Sequence, residues 1–212
     1  GASVADVAKA TDTIFLSVPD GPISLSVIDE VIATSDRRAG VIIDLSTIGP
    51  EAAREAAKRC ADAGFVYIDS PVSGGQAGAR AATIAVMLAG PKDVVDAHMD
   101  VLKGFAKTPF HVGELAGQGQ AVKILNNFLS GTALAASVEA VLYGLSAGVD
   151  MKTIVDVVSV SSGYNSAIRE KFPARIMTET FDAGFATALQ SKDINLYLEN
   201  AKSAGTPSRI GQ

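Results

Sequence analysis

The chain has 212 residues, 48% of them apolar and 19% charged, with a mean hydropathy of +0.27. A chain of this size buries roughly 70% of its unfolded surface, and this composition excludes a disordered tail, a collagen and a linker sequence. Its 18 basic and 23 acidic residues leave a net charge of -5 with no block of like charge, so the electrostatic footprint of a nucleic-acid or anionic-membrane binder is missing.

The first half alternates strand and helix signals. Thr13 to Val18 is a short apolar run ended by Pro19-Asp20-Gly21-Pro22, and a helical pattern follows from Ile23 to Ala33. Val41 to Leu45 is a second run. Pro50 at a first helical position, with Glu51 in the first turn, opens a helix that Gly64 ends. Phe65 to Ile68 and Thr83 to Leu88 read as strands, Val94 to Leu102 as helix, and Thr108 to Val112 as the last strand. Apolar strands in this βαβα order predict a mostly parallel sheet covered on both faces, an α/β fold.

After Gly113 the strand signals stop. Ala116 to Gly148 has a proline-free helical pattern, and helical stretches follow at Met151 to Val160, Asn165 to Thr178 and Phe185 to Ala204. Gly148 and Asp150 read as a C-cap and then an N-cap, and Pro173 as a kink or restart. Residues 1–115 are therefore expected to form an α/β domain and residues 116–212 an all-helical one, joined by one long helix. The stretch Ile124 to Val149 carries only Glu139 as a charge, but Asn126, Asn127, Ser130, Thr132 and Ser137 interrupt it, which predicts a helix buried between protein surfaces and no membrane span. Cys60, the single cysteine, reads as a buried thiol in a reducing, cytoplasmic-type compartment, and His98 and His111 without a cluster around them predict no metal site. No signal-peptide pattern is present in Gly1 to Lys9, and the absence of an initiator Met suggests a longer gene product.

Three segments carry chemistry. Asp69-Ser70-Pro71-Val72-Ser73-Gly74-Gly75-Gln76-Ala77-Gly78 follows a strand, at the carboxyl edge where open α/β sheets bind ligands. Its glycines and the Ser73 hydroxyl could converge on a carboxylate or phosphate, or could simply serve a tight loop. It has neither the Walker lysine nor the dinucleotide glycine order. In Gly117-Gln118-Gly119-Gln120-Ala121-Val122-Lys123-Ile124-Leu125-Asn126-Asn127, Lys123 and Asn127 share one helix face, with Gln120 a turn earlier. A lysine among apolar neighbours should have its pKa lowered by desolvation, as a general acid/base requires; a lysine snorkelling to solvent is the plainer reading. In the third, Phe185, Leu189 and Lys192 form one helical stripe, either a core stripe or an aromatic and a cation offered to a flat charged ligand.

Together these segments, with Phe15-Leu16-Ser17-Val18-Pro19, Asp44-Leu45-Ser46-Thr47 and Lys192-Asp193, resemble the β-hydroxyacid dehydrogenase family, which includes 3-hydroxyisobutyrate dehydrogenase and tartronate semialdehyde reductase. The resemblance implies a partial Rossmann-type domain, NAD or NADP as cofactor, and a small β-hydroxy acid or its semialdehyde as substrate. It implies that Ser73, Gly74 and Gly75 hold the substrate carboxylate, that Lys123 is the acid/base and that Asn127 orients the substrate. Val18, Pro19 and Thr47 would line the nicotinamide side, with Phe185 and Lys192 reaching it from the helical domain. A homodimer or homotetramer is expected as well.

The chain departs from that pattern by starting after the family's G-x-G-x-x-G unit, and the helical domain is expected to lack its C-terminal end. The paired asparagines are unlike 6-phosphogluconate dehydrogenase, and Lys123 argues against the imine reductases. Ser161 to Asn165 lies where family members differ in the substrate pocket. Two rival readings stand beside the dehydrogenase. One is a non-catalytic, dimerising binding module of the same fold. The other is a phosphate-binding enzyme using Gly74 to Gly78.

Overall fold

A computed structural model describes residues 3–182 and 184–211. They fall in two compact units, Gly1–Ile124 and Leu125–Gln212.

The first unit opens on helix α1 (Val4–Ala10), which no sequence signal above marked; Ser3 caps it, accepting from the Asp6 amide while the Asp6 carboxylate accepts from the Ser3 amide. Strand β1 (Thr13–Leu16) leads into α2 (Gly21–Ala33). That helix starts two residues earlier than expected, because the Asp20 carboxylate accepts from the Ile23 amide and Pro22 tolerates a first-turn position. Next come β2 (Val41–Asp44), α3 (Pro50–Asp62), β3 (Val66–Asp69), the two-residue β4 (Val72–Ser73) and the short α4 (Gly75–Arg80). The unit continues with β5 (Ile84–Ala89), α5 (Lys92–Lys103) and β6 (Ala106–Gly113).

The sheet is mostly parallel, as its strand sequences require. β1–β2, β2–β3 and β5–β6 pair parallel, while β3–β5 and β4–β5 pair antiparallel. Alternate strand residues enter opposite cores. Ile14, Leu16 and Ile42 pack with Ile28, Val31, Ala53, Ala56 and Cys60, whereas Ile43, Ile68, Val86 and Leu88 pack with Val95 and Leu102. Both faces are thus covered by helices, the reason these strands lack polar alternation. Cys60 is fully buried, and burial pushes its thiol up to about 12, so it stays protonated.

Helix α6 (Gln118–Ser146) begins in the first unit and continues into the second. There it is followed by α7 (Met151–Ser159), a π-helical segment Ala167–Ile176, and α8 (Thr187–Ser203). The cap readings hold: Gly148 has φ +82, and the Asp150 carboxylate accepts from the Thr153 amide. The expected helix around Pro173 is π-helical, a widened turn with proline inside it. Val141, Val155, Ile168 and Phe172 form this unit's core, and Phe128 stacks on Tyr197 with ring centroids 4.1 Å apart. Within this chain α6 is buried only in part: Lys123, Ile124, Asn127, Ser137 and Val141 are buried, whereas Leu125, Leu129, Leu142 and Leu145 are exposed.

Candidate functional site

The candidate residues of the first unit gather behind the carboxyl ends of strands. Val18 and Pro19 follow β1, Thr47 follows β2, and Ser73, Gly74 and Gly75 lie at the end of β4 and the start of α4. Val18, Thr47 and Ser73 are half-buried, and Pro19, Gly74 and Gly75 are exposed.

Two carboxylates hold these loops. Asp44, the last residue of β2, is fully buried and accepts from the Ser24 hydroxyl at 2.5 Å, the Tyr67 hydroxyl at 3.2 Å and the Ser46 amide at 2.9 Å. The Ser46 hydroxyl in turn accepts from the Val18 amide at 2.8 Å. Thus the β1 and β2 loops, with Val18 and Thr47, are fixed to one another through a buried charge. Burial and the Asp44 carboxylate beside it push the Tyr67 hydroxyl well above its ordinary range, so Tyr67 acts only as a neutral donor there.

Asp69, the last residue of β3, is the second. Its Oδ2 accepts from the amides of Gly117 and Gln120, both at 3.0 Å, and its Oδ1 from the Gln120 carboxamide at 2.7 Å. A carboxylate from a distant strand therefore caps the start of α6, where unpaired amides and the helix dipole favour negative charge. Burial pushes the Asp69 carboxyl up to about 6, against the pull of those three donors, so it is mainly ionised at neutral pH. Sequence reasoning placed Gln120 on the Lys123 face and missed Asp69; the one available signal was a charged residue inside an otherwise apolar strand.

Gly119 explains the small residues before Lys123. A Cβ there would lie 2.4 Å from the Met87 carbonyl and 3.0 Å from the Asp69 carboxylate, so glycine admits the helix to the sheet edge. Gly74 has φ +137 and meets Ile84 at 3.1 Å, whereas Gly75, with φ +60, faces open space. Backbone demand and packing therefore account for Gly74, while Gly75 leaves its surroundings open. Lys123 lies in the second turn of α6 and is buried, 8% exposed, which corrects the snorkelling alternative.

In the second unit, the Asn127 carboxamide donates to the Asp193 carboxylate at 2.6 Å, and Gln190 donates to the Asn127 carbonyl at 3.1 Å. Asp193 Oδ1 lies 3.2 Å from Lys192 Nζ, so α6 and α8 bring Asn127 and Lys192 to one buried carboxylate. The sequence reading names Asp193 only beside Lys192 in the family resemblance and gives it no role. The expected Phe185 stripe is corrected: α8 starts at Thr187, and Phe185 precedes it, exposed. No cluster of three or more metal-ligating side chains occurs among the described residues.

Loops gathered at the carboxyl edge of a mostly parallel sheet covered on both faces are where α/β proteins of the dinucleotide-binding class hold their ligands. Residues 1–113 match the NAD binding domain of 6-phosphogluconate dehydrogenase, and residues 117–212 match the NAD-binding domain of NADP-dependent 3-hydroxyisobutyrate dehydrogenase. The 2-(hydroxymethyl)glutarate dehydrogenase of Eubacterium barkeri is 36% identical over 95% of this chain and 67% of its own length. The 3-hydroxyisobutyrate dehydrogenase of Pseudomonas aeruginosa is 35% identical over 81% of this chain, which spans only 59% of that relative. Mycobacterium tuberculosis 3-hydroxyisobutyrate dehydrogenase, solved with L-serine, superposes with a TM-score of 0.91 at 30% identity, over 99% of this chain and 73% of its own. The chain belongs to the β-hydroxyacid dehydrogenase family, the group of the 3-hydroxyisobutyrate dehydrogenases.

Proposed function

We propose that this chain is part of an NAD(P)-dependent oxidoreductase that interconverts a small β-hydroxy acid and its semialdehyde, with residues 1–115 as the dinucleotide-binding domain and 116–212 as the substrate and dimerisation domain. The observation that carries this reading is a buried Lys123 on a helix whose start is bound to the sheet edge. The bound nicotinamide ring would accept or return the hydride of the hydroxyl-bearing carbon. Lys123 takes the hydroxyl proton during oxidation and returns it during reduction, so that no alkoxide develops unneutralised in a dry site. Ser73, Gly74 and Gly75 hold the substrate carboxylate, and Asn127 orients the substrate. Val18, Pro19 and Thr47 line the nicotinamide, with Phe185 and Lys192 completing the cofactor contacts.

A homodimer or homotetramer is part of the proposal. The exposed Leu129, Leu142 and Tyr143 of α6 support it, as apolar side chains on one long helix that a second copy could cover. Although α6 is long and apolar enough to cross a membrane, Lys123 and Asn127 on it are buried within the protein, which favours a water-soluble enzyme. The buried, protonated Cys60 thiol suits a reducing, cytoplasmic compartment, and the net charge of -5 without a basic block speaks against nucleic-acid or anionic-membrane partners.

The test is absorbance of reduced nicotinamide with the full chain, screening small β-hydroxy acids against both cofactors. Lys123→Ala should lower turnover about 100-fold or more while the protein stays folded. Wild-type turnover in that variant would remove the lysine mechanism. Silence of the folded wild type across the panel would favour the binding module.

A further inference from the structure

We propose that Asp69 and Gln120 are positioning residues for the Lys123 chemistry: Asp69 fixes the first turn of α6, and Gln120 ties that turn to the loop after β2. The inference rests on the dehydrogenase reading and adds to it two residues that need touch neither substrate nor cofactor.

Every polar valence of the Gln120 carboxamide is used within the protein. Its Oε1 accepts from the amides of Ile48 at 2.9 Å and Gly49 at 3.1 Å, and its Nε2 donates to the Ser46 carbonyl at 2.9 Å and to Asp69 at 2.7 Å. Only one orientation of the amide satisfies all four, since its oxygen faces donors and its nitrogen faces acceptors. Gln120 is completely buried, so no ligand competes for these bonds. The two residues flanking Thr47 are therefore anchored to the residue one helical turn before Lys123.

Asp69 performs the other half. It accepts both the Gly117 and the Gln120 amides, so the start of α6 is held at a fixed height above the end of β3. Gly119 lets the helix approach that closely, because a side chain would strike the Met87 carbonyl. Lys123 is rigidly connected to this turn by the helix backbone. A displacement of about 1 Å at a reacting group costs on the order of 100-fold in rate, so the anchoring of this turn governs turnover.

The two residues should separate kinetically. Asp69 holds the helix and meets the β2 loop only through one of the four Gln120 carboxamide bonds, so Asp69→Ala should lower kcat about tenfold or more while leaving the cofactor KM within about twofold. Gln120 holds both, so Gln120→Met should lower kcat and also raise the cofactor KM severalfold. A purely structural role would lower the unfolding temperature without this split when both variants are assayed well below it. Retention of kcat within about twofold in both folded variants overturns the proposal.

Amide hydrogen exchange of the full chain at neutral pH gives a readout independent of turnover. The Gly117 and Gln120 amides should exchange about tenfold faster in Asp69→Ala, and the Ile48 and Gly49 amides in Gln120→Met. Should Asp69→Ala fail to fold, Gln120→Met alone carries both measurements. If the folded wild type turns over no β-hydroxy acid with either nicotinamide cofactor, the dehydrogenase reading fails, and exchange still decides the anchoring: acceleration supports it and unchanged protection overturns it.

Discussion

Asp44 and Asp69 are register partners on the adjacent parallel strands β2 and β3, both fully buried, and they serve different elements. Asp44 holds the two loops of the expected nicotinamide side, and Asp69 holds the helix that carries Lys123. Two like charges at one level of a sheet are costly, and burial together with the charge on Asp44 pushes the Asp69 carboxyl up to about 6 from the ordinary 3.8. Between about pH 4 and pH 6 the folded chain keeps a proton on Asp69 that the unfolded chain has released. This raised carboxyl therefore contributes stability that is fully present at low pH and lost as the pH rises through 6, by up to about 3 kcal/mol. Denaturant unfolding of the wild type and Asp69→Asn across this window should show their difference shrinking to the disadvantage of the wild type. Parallel curves would mean that Asp69 titrates as it does in the unfolded chain.

Ser46 offers a narrower test of the Asp44 side. Its hydroxyl accepts the Val18 amide at 2.8 Å, and its own amide is held by Asp44. Ser46→Ala removes one hydrogen bond worth about 1 kcal/mol and frees the loop that carries Val18 and Pro19. The cofactor KM should rise about fivefold with the substrate KM nearly unchanged. An unchanged cofactor KM would separate this loop from nicotinamide binding.

The elements of the α/β half were legible because burial on both faces removes polar alternation from the strands and leaves Gly and Pro as punctuation. Helix α3 shows this: Pro50 opens it, Gly64 follows its end at φ +80, and Cys60 is buried as its apolar spacing requires. The division into α/β and helical parts was legible too, although the compact units part inside α6, after Ile124. The anchoring network was not legible, because Asp69, Gln120 and Ser46 are distant in sequence and meet only through strand order. Phe185 was misread because helical periodicity extends past the point where the backbone leaves the helix. Periodicity reports a pattern of side chains, whereas the start of α8 is decided by where its backbone hydrogen bonds begin.

The carboxylate of Asp193 gives the second unit its own prediction. It accepts from Asn127 at 2.6 Å and lies beside Lys192, so it orients the carboxamide proposed to meet the substrate. Asp193→Ala removes a charge-assisted bond of about 2 kcal/mol from that carboxamide. The KM for the β-hydroxy acid should rise about tenfold or more, with Asp193→Asn falling between the two. If steady-state kinetics give the same substrate KM for all three proteins, Asn127 is not held in its working orientation by this contact.

Two glycines differ in what they are for, and their alanine variants should differ accordingly. At Gly119 a methyl group would lie 2.4 Å from the Met87 carbonyl, and a strand backbone in the middle of a sheet cannot yield. The start of α6 must then back away from β5 and stretch its bonds to Asp69, at a cost of about 2–3 kcal/mol. Gly75 has φ +60 with nothing near its missing Cβ, so Gly75→Ala meets only the left-handed backbone penalty of about 1 kcal/mol. Urea unfolding should therefore rank Gly119→Ala well below Gly75→Ala in stability. In the same proteins the Gly117 and Gln120 amides should lose exchange protection only in Gly119→Ala, because only that variant moves the helix off its carboxylate. Equal losses of stability would show that the helix has room to spare above β5, and that the glycine before Lys123 is not there to bring it close.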